Sequence, residues 1–348
     1  MRSLRTLHLA VLPFAAVTLA CGLIAIPAPA SAQQPYRILA RWKIGGGGRW
    51  DYMHADAKAH RLYIAHGDTV DVINTRDGKR IGAITGLHGT HGIALDTAGK
   101  YGYISDGGGD AVVVFDRRTL AKVATIPAGQ NPDGIVFEPV TQSVWAFNGG
   151  SRTVTVISAY TNMEIATIAL PGRPEFPVAD GRGNVYDNIE STSQIARFDA
   201  NTKRITALWP VGCENPSGLA IDTHGHRLFS VCRNQKMSVI DYKDGKALAT
   251  PSIGNGPDAA RYSEKEKLAF ASCGQGVLSV VDANAPGYPT IETLPTQRGA
   301  RTMAYNPETD EIYLVTADFG PAPAPTPHRP HPWPQAVPDT FTVLVVGR

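Results

Sequence analysis

Residues 101–139 read YGYISDGGGDAVVVFDRRTLAKVATIPAGQNPDGIVFEP. An aromatic strand (Tyr101 to Ser105) runs into a glycine turn (Gly107, Gly108, Gly109) and then a β-branched strand (Ala111 to Asp116). A polar turn and a third alternating strand (Lys122 to Pro127) follow, and an Asn131-Pro132-Asp133-Gly134 corner opens a fourth (Ile135 to Glu138). Alternation of period two, bounded by Gly, Pro, Asn and Asp, is the signal of short antiparallel strands.

The same pattern is written along the whole chain. Its aromatic anchor recurs at Tyr63, Tyr103, Trp145, Tyr186, Phe229, Phe270 and Tyr313, at intervals of 40, 42, 41, 43, 41 and 43 residues. The residue closing the β-branched strand recurs at Asn74, Asp116, Ser158, Asp199, Asp241 and Asp282, at intervals of 42, 42, 41, 42 and 41. Two independent markers in one phase define a structural unit, and four short strands in a period of roughly 40–45 residues make a propeller blade. A blade alone leaves its faces bare, so blades must stack and the ring must close. The expectation is an all-β, seven-bladed β-propeller with four antiparallel strands per blade, one domain over residues 33–348, and a monomer.

Closure is legible at the ends. The seventh unit supplies strands at Arg301 to Asn306, Glu311 to Thr316 and Thr340 to Gly347, and there the sequence runs out one strand short. Tyr36 to Ile44 (YRILARWKI) resembles the outer strand of every other unit, so the N-terminal strand is expected to complete the last blade.

The stretches LYIAHGDTVDVIN (62–74), YISDGGGDAVVVFD (103–116) and WAFNGGSRTVTVIS (145–158) resemble the YVTN-type repeats of the YncE-like seven-bladed propeller family. The resemblance covers residues 36–348, and its motifs are specific for fold. For function it implies little, since propellers host binding modules and enzymes alike. Members of the family have been linked to DNA.

Residues 1–32 read as a targeting segment: Arg2 and Arg5, an apolar run from Leu7 to Ile26, and small residues Ala30-Ser31-Ala32 before Gln33. Cleavage after Ala32 and a periplasmic or secreted protein are expected. Cys21 raises a lipoprotein reading, which Thr18, a poor residue three positions earlier, weakens. No later run reaches the roughly 20 apolar residues of a membrane span. The leader carries two arginines and no acid, so the mature chain has 31 basic and 31 acidic residues. That balance counts against nucleic acid, whose binding requires surplus clustered cations.

Three cysteines remain. Cys213, in the loop leading into a blade, and Cys232, ending that blade's second strand, form the preferred disulfide. Cys232 with Cys273, its equivalent one blade on, is the rival. A soft-metal site on three thiols lacks any CxxC spacing. The proline run FGPAPAPTPHRPHPWPQAVPD (319–339) joins strands two and three of blade seven and is expected as polyproline II, unpaired in any sheet. It is either a lid over the central opening, with His328, His331 and Trp333 as contacts, or a solvated loop.

In a propeller the ligand usually sits where the inner strands begin. Those positions are Asp51, His91, Asp133, Glu175, Ser217, Asp258 and Arg301, and the ends of the adjacent second strands add His66, Asp106 and Asn148. Carboxylates and imidazoles crowded around one opening repel unless a cation, a cationic ligand or protonation relieves them. Three functions fit. One is a pocket for a small polar ligand or a cell-envelope partner, with Arg298 and Arg301 taking any carboxylate on it. Another is a divalent-metal site on His66, His88 or His91 with Asp51 or Asp133. The third is lactonase-like hydrolysis by a carboxylate or histidine base. Against all three stands the plain alternative that such residues only cap loop amides, as Asp133 does in an ordinary Asn-Pro-Asp-Gly turn. No GxSxG elbow, HExxH, Walker loop or dinucleotide fingerprint occurs. The preferred reading is therefore an exported, non-catalytic binding or scaffolding propeller that requires no cofactor.

Overall fold

Strands of four to seven residues assemble into seven four-stranded antiparallel sheets. The computed structural model describes residues 6–10, 34–326, 332 and 334–348. The chain divides into Met1–Gln34 and Pro35–Arg348, and every sheet belongs to the second unit. Apart from residues 6–10, the leader with its cleavage site and Cys21 lies outside the described residues, as do His328, His331 and Trp333. Among the described residues no helix is long and apolar enough to cross a membrane.

Blade one comprises Trp50–Asp56, Arg61–His66, Thr69–Asn74 and Arg80–Ile84, in that order from the axis outward, and five more blades repeat this meander. Blade seven is built from both ends: Met303–Asn306, Glu311–Thr316, Thr342–Gly347 and then Arg37–Lys43. Its N-terminal strand runs antiparallel to Thr342–Gly347, with Ile38 opposite Val346 and Trp42 opposite Val343. The inner strand of each blade lies against the next, and that of blade seven lies against blade one, so the ring is closed. Met303 opens its strand two residues later than the sequence suggests, because Gly299 to Arg301 form a tight turn with the Arg301 amide on the Gly299 carbonyl.

The core is divided among the blade junctions. Each of seven apolar clusters draws its side chains from two neighbouring blades. The aromatic anchors are the wedges: all seven, from Tyr63 to Tyr313, are buried. Tyr63, for example, meets Phe115 of the next blade at a centroid distance of 5.6 Å. This is the physical reason for the period, since an anchor omitted from one unit would leave a void between two blades.

Cys213 and Cys232 are bonded, with Cα atoms 6.0 Å apart, and Cys273 is free and buried. Burial pushes the Cys273 thiol up to about 12. The bridge spans 19 residues, so replacing both cysteines by alanine is expected to lower stability by about 2–4 kcal/mol. Urea unfolding with and without reductant measures this, and the double variant should lose its response to reductant.

The proline-rich segment does pair at its base, contrary to the expectation from composition. Phe319 and Ala336 form a bridge, the Gly320 amide donates to the Gln335 carbonyl at 3.0 Å, and the Val337 amide donates to Asp318 at 2.7 Å. Non-proline residues at the two ends still carry the N–H groups that a ladder requires. Phe319 packs on Trp50 with centroids 6.0 Å apart, fixing this base over the junction of blades one and seven.

Candidate functional site

The register of the inner strands explains how the site forms. In blades one to six the pairing with the second strand slips by one residue at the start, between Trp50 and Met53, Thr90 and Ile93, Pro132 and Ile135, Pro174 and Pro177, Pro216 and Leu219, and Pro257 and Ala259. A bulge frees a residue from the ladder and re-aims its side chain. The freed positions include Asp51, His91, Asp133, Glu175, Ser217 and Asp258, so the Asn-Pro-Asp-Gly corner belongs to the inner strand as its bulge.

One residue further in, the ring narrows to a waist. Blades two, three and five place Gly92, Gly134 and Gly218 there, and blade six places Ala259. A Cβ on Gly134 would stand 2.4 Å from the Glu175 carbonyl, and one on Gly218 would stand 2.6 Å from Ala259, so neighbouring backbones touch. Blades one and four supply aromatics instead, and Tyr52 meets Phe176 edge to face at 4.9 Å. The waist thus floors an acidic mouth.

Around that mouth, His91 Nδ1 lies 2.6 Å from Asp51 and 3.7 Å from Asp133. Burial alone would strip the proton from His91, but the Asp51 hydrogen bond and the charge of Asp133 outweigh it and raise the pKa to about 9. Arg301 binds Asp258 at 2.7 Å, and Arg173 lies 3.3 Å from Glu175 and 3.4 Å from Glu190. Burial raises Asp258 to about 6 against the pull of Arg301. Burial and then neighbouring negative charge, Asp51 for Asp133 and Asp133 for Glu175, push both carboxyls above the usual range. Asp187 completes the group from the second strand of blade four. It is fully buried, and although the Glu175 amide lends it some positive charge, neither oxygen completes a hydrogen bond among the described residues. Burial and the charges of Glu175 and Asp133 raise its pKa strongly.

Asp51, His91, Asp133, Glu175, Asp258 and Arg301 are therefore linked around one opening. The residues read from the second-strand ends make local contacts of their own, and of these Asp106 also lies near enough to His91 for its charge to help hold the His91 proton. His66 is buried, donates its Nδ1–H to Asp71 at 2.9 Å, and stacks on Phe341 with centroids 4.1 Å apart. Asp106 takes the His88 amide at 2.7 Å and the His88 ring at 3.1 Å, holding a loop. Asn148 donates to Thr153 and Thr155, both at 3.0 Å. Exposed Arg298 accepts the Thr316 hydroxyl on its carbonyl. His66 and Asn148 are thus held in local contacts, Asp106 stays within electrostatic reach of His91, and the bulged residues form the ring itself. His66 and His88 each meet one carboxylate, Asp71 and Asp106, and of the proposed metal ligands only His91 joins two in a cluster among the described residues. Ligand atoms of Asp51, His91 and Asp133 lie within 4.8 Å of one another and can share an ion once His91 is deprotonated. At the opposite end, Asp222, His224 and Glu264 also converge. There Arg227 already holds Asp222, and Lys267 holds Glu264.

No family model and no curated protein matches the chain. Solved propellers do match in fold. Hydrazine synthase of Kuenenia stuttgartiensis is similar at a TM-score of 0.67 and 15% identity over 78% of this chain and 93% of that one. U3-55K matches at 0.71 and 9% identity, covering 89% and 98% of the two chains. The RRP9 WD40 repeats match at 0.72 and 11%, covering 92% and 99%. At such identities the likeness concerns the fold alone.

Proposed function

We propose that this chain is an exported, non-catalytic propeller of the YncE-like kind whose acidic mouth binds a small polar ligand carrying positive charge. The observation behind this reading is the imbalance at the mouth. Among the described residues six acids, Asp51, Asp133, Glu175, Asp187, Glu190 and Asp258, stand against four cations, His91, Arg173, Arg233 and Arg301, and neither oxygen of the buried Asp187 completes a hydrogen bond. A cationic group would relieve the repulsion that now raises the carboxylate pKa values. Arg301 is engaged by Asp258, so a ligand carboxylate finds less purchase here than an amine. The same negative field repels a polyanion, which argues against this face binding DNA.

A thermal-shift panel tests the reading. Arginine, choline and spermidine are set against citrate and glucuronate at pH 8. At a hundredfold excess over Kd, a bound cation contributes about 2.7 kcal/mol, a rise of roughly 4 °C or more, and Glu175→Gln should erase it. A response confined to the anions would overturn the proposal.

Asp133 supports a second reading. A carboxylate raised to about 7 is matched to general-base chemistry at neutral pH, alone or beside an ion held with Asp51 and His91. Lactone or ester turnover abolished in Asp133→Asn, but retained in a surface variant, would decide for a hydrolase.

A further inference from the structure

Beneath the waist the channel widens into a hollow of about 500 Å³ that extends to Thr97 and Gly181, in the loops leaving the inner strands, and so reaches the face opposite the acidic mouth. Its walls are apolar and only partly covered: Leu95, Val136, Val178 and Ile221 all present surface to it. Tyr52 and Phe176 roof it, and between the roof and the walls stands Arg261 of blade six. At the equivalent height blades two, five and seven carry Ala94, Ala220 and Ala304, blades three and four carry Val136 and Val178, and blade one carries His54. An arginine in that column is not explained by packing.

Nor is it explained by ion pairing. The Arg261 guanidinium lies 5.0 Å from the Phe176 ring centroid and donates to the Ala260 carbonyl at 2.7 Å, and no carboxylate pairs with it among the described residues. A guanidinium has five N–H groups to place. His54, its companion in the hollow, is held neutral with a pKa of about 4, by burial first and then by Arg261 itself, and its Nδ1–H is engaged by the Ile93 carbonyl at 3.1 Å. Burial lowers Arg261 to about 10, so it stays charged at neutral pH. The hollow therefore presents a fixed positive fork at the end of an apolar cleft, in the size range of small-molecule sites.

We propose that this hollow is a second binding site, on the face away from the mouth, for a small amphiphilic anion: a carboxylate on a short hydrocarbon or aryl tail. The carboxylate matches the guanidinium fork bidentately, and the tail covers Leu95, Val136, Val178 and Ile221. A phosphate fits poorly, because one cation within apolar walls cannot replace its hydration. This site does not depend on the ligand of the mouth.

Octanoate is the probe, titrated into the mature full-length protein by calorimetry, with octanol and octylamine as tail-matched controls. Octanoate should bind saturably at one per chain, and octanol and octylamine at least tenfold more weakly. Arg261→Met should weaken octanoate at least tenfold while folding normally, since it removes an uncompensated buried charge. Val178→Phe, which fills the cleft without altering charge, should weaken octanoate and octanol alike. The proposal is overturned if octanol binds as tightly as octanoate, if either variant binds octanoate unchanged, or if no saturable binding appears in the millimolar range.

Discussion

A chain lacking residues 36–44 is expected to aggregate rather than remain a monomer. The strand Arg37–Lys43 supplies the outer edge of blade seven, and without it the ladder groups of Thr342–Gly347 face solvent along a strand of sequence TVLVVG. Such a flat, β-branched, uncharged edge is a template for pairing with another copy. The deletion also removes Tyr36, which packs edge-on against Phe270 at 5.4 Å, and Trp42, which stacks on Tyr313 at 5.9 Å. Burying each such aromatic is worth roughly 1.5–3 kcal/mol. With the ladder included, the loss should exceed about 5 kcal/mol, comparable with the whole stability of many domains. Light scattering and size-exclusion chromatography measure the outcome. A synthetic peptide of residues 35–45 added in trans should restore the monomer by strand addition. A truncated protein that stays monomeric with an unchanged melting temperature would mean that the ring is not latched by its N-terminus.

That latch could be read in advance because it follows from counting: the last repeat lacks one strand, and the first residues of the repeat region match it. The ring of mouth residues was legible for the same reason, as equivalent positions in equivalent units must converge on the axis. The second-strand ends were less legible, because His66, Asp106 and Asn148 each make a local contact, although Asp106 stays within electrostatic reach of His91. A residue ending a regular strand follows the alternation of that strand, and His66 is turned toward Asp71, five residues on across its own hairpin. Asp187 was missed although its signal was in the repeat. It occupies a column filled by Ile64, Ile104, Ala146, Ser230, Ala271 and Leu314 elsewhere, so an acid there breaks the apolar pattern. Arg261 and His54 break a column otherwise made of alanine and valine in the same way. Searching each column for its discordant residues identifies the chemistry that the repeat itself conceals.

Stability should fall as pH rises from about 5 to 9, because the groups of the mouth hold their protons longer in the native state than in the unfolded chain. Asp258 shows the sign. Its folded pKa is raised from 3.8 to about 6. Below 3.8 both states are protonated, and between 3.8 and 6 only the unfolded chain releases the proton, so the native state loses ground with every unit. At about 1.4 kcal/mol per unit this group alone accounts for on the order of 3 kcal/mol. Asp133, Glu175 and Asp187 are shifted in the same direction by burial and then by neighbouring carboxylates. His91, raised from 6.5 to about 9, contributes stability that is complete below 6.5 and is lost by about 9. At the acid end Asp71 and Asp222 oppose this trend. Burial would raise them, but hydrogen bonds from His66 and Arg80 to Asp71, and from Gly225 and Arg227 to Asp222, hold both below the usual value, and protonating them costs stability under about pH 4. The melting temperature of the ligand-free protein should therefore peak near pH 4–5 and drop by roughly 5–10 °C by pH 9. Asp187→Asn should raise it at pH 8.5 and leave it unchanged at pH 4, since the neutral amide resembles the protonated acid and its NH2 can donate to the carboxylates that Asp187 repels. A profile flat across this range, or an Asp187→Asn variant destabilised equally at both pH values, would show that the mouth does not carry the unrelieved charge on which its affinity for a cation depends.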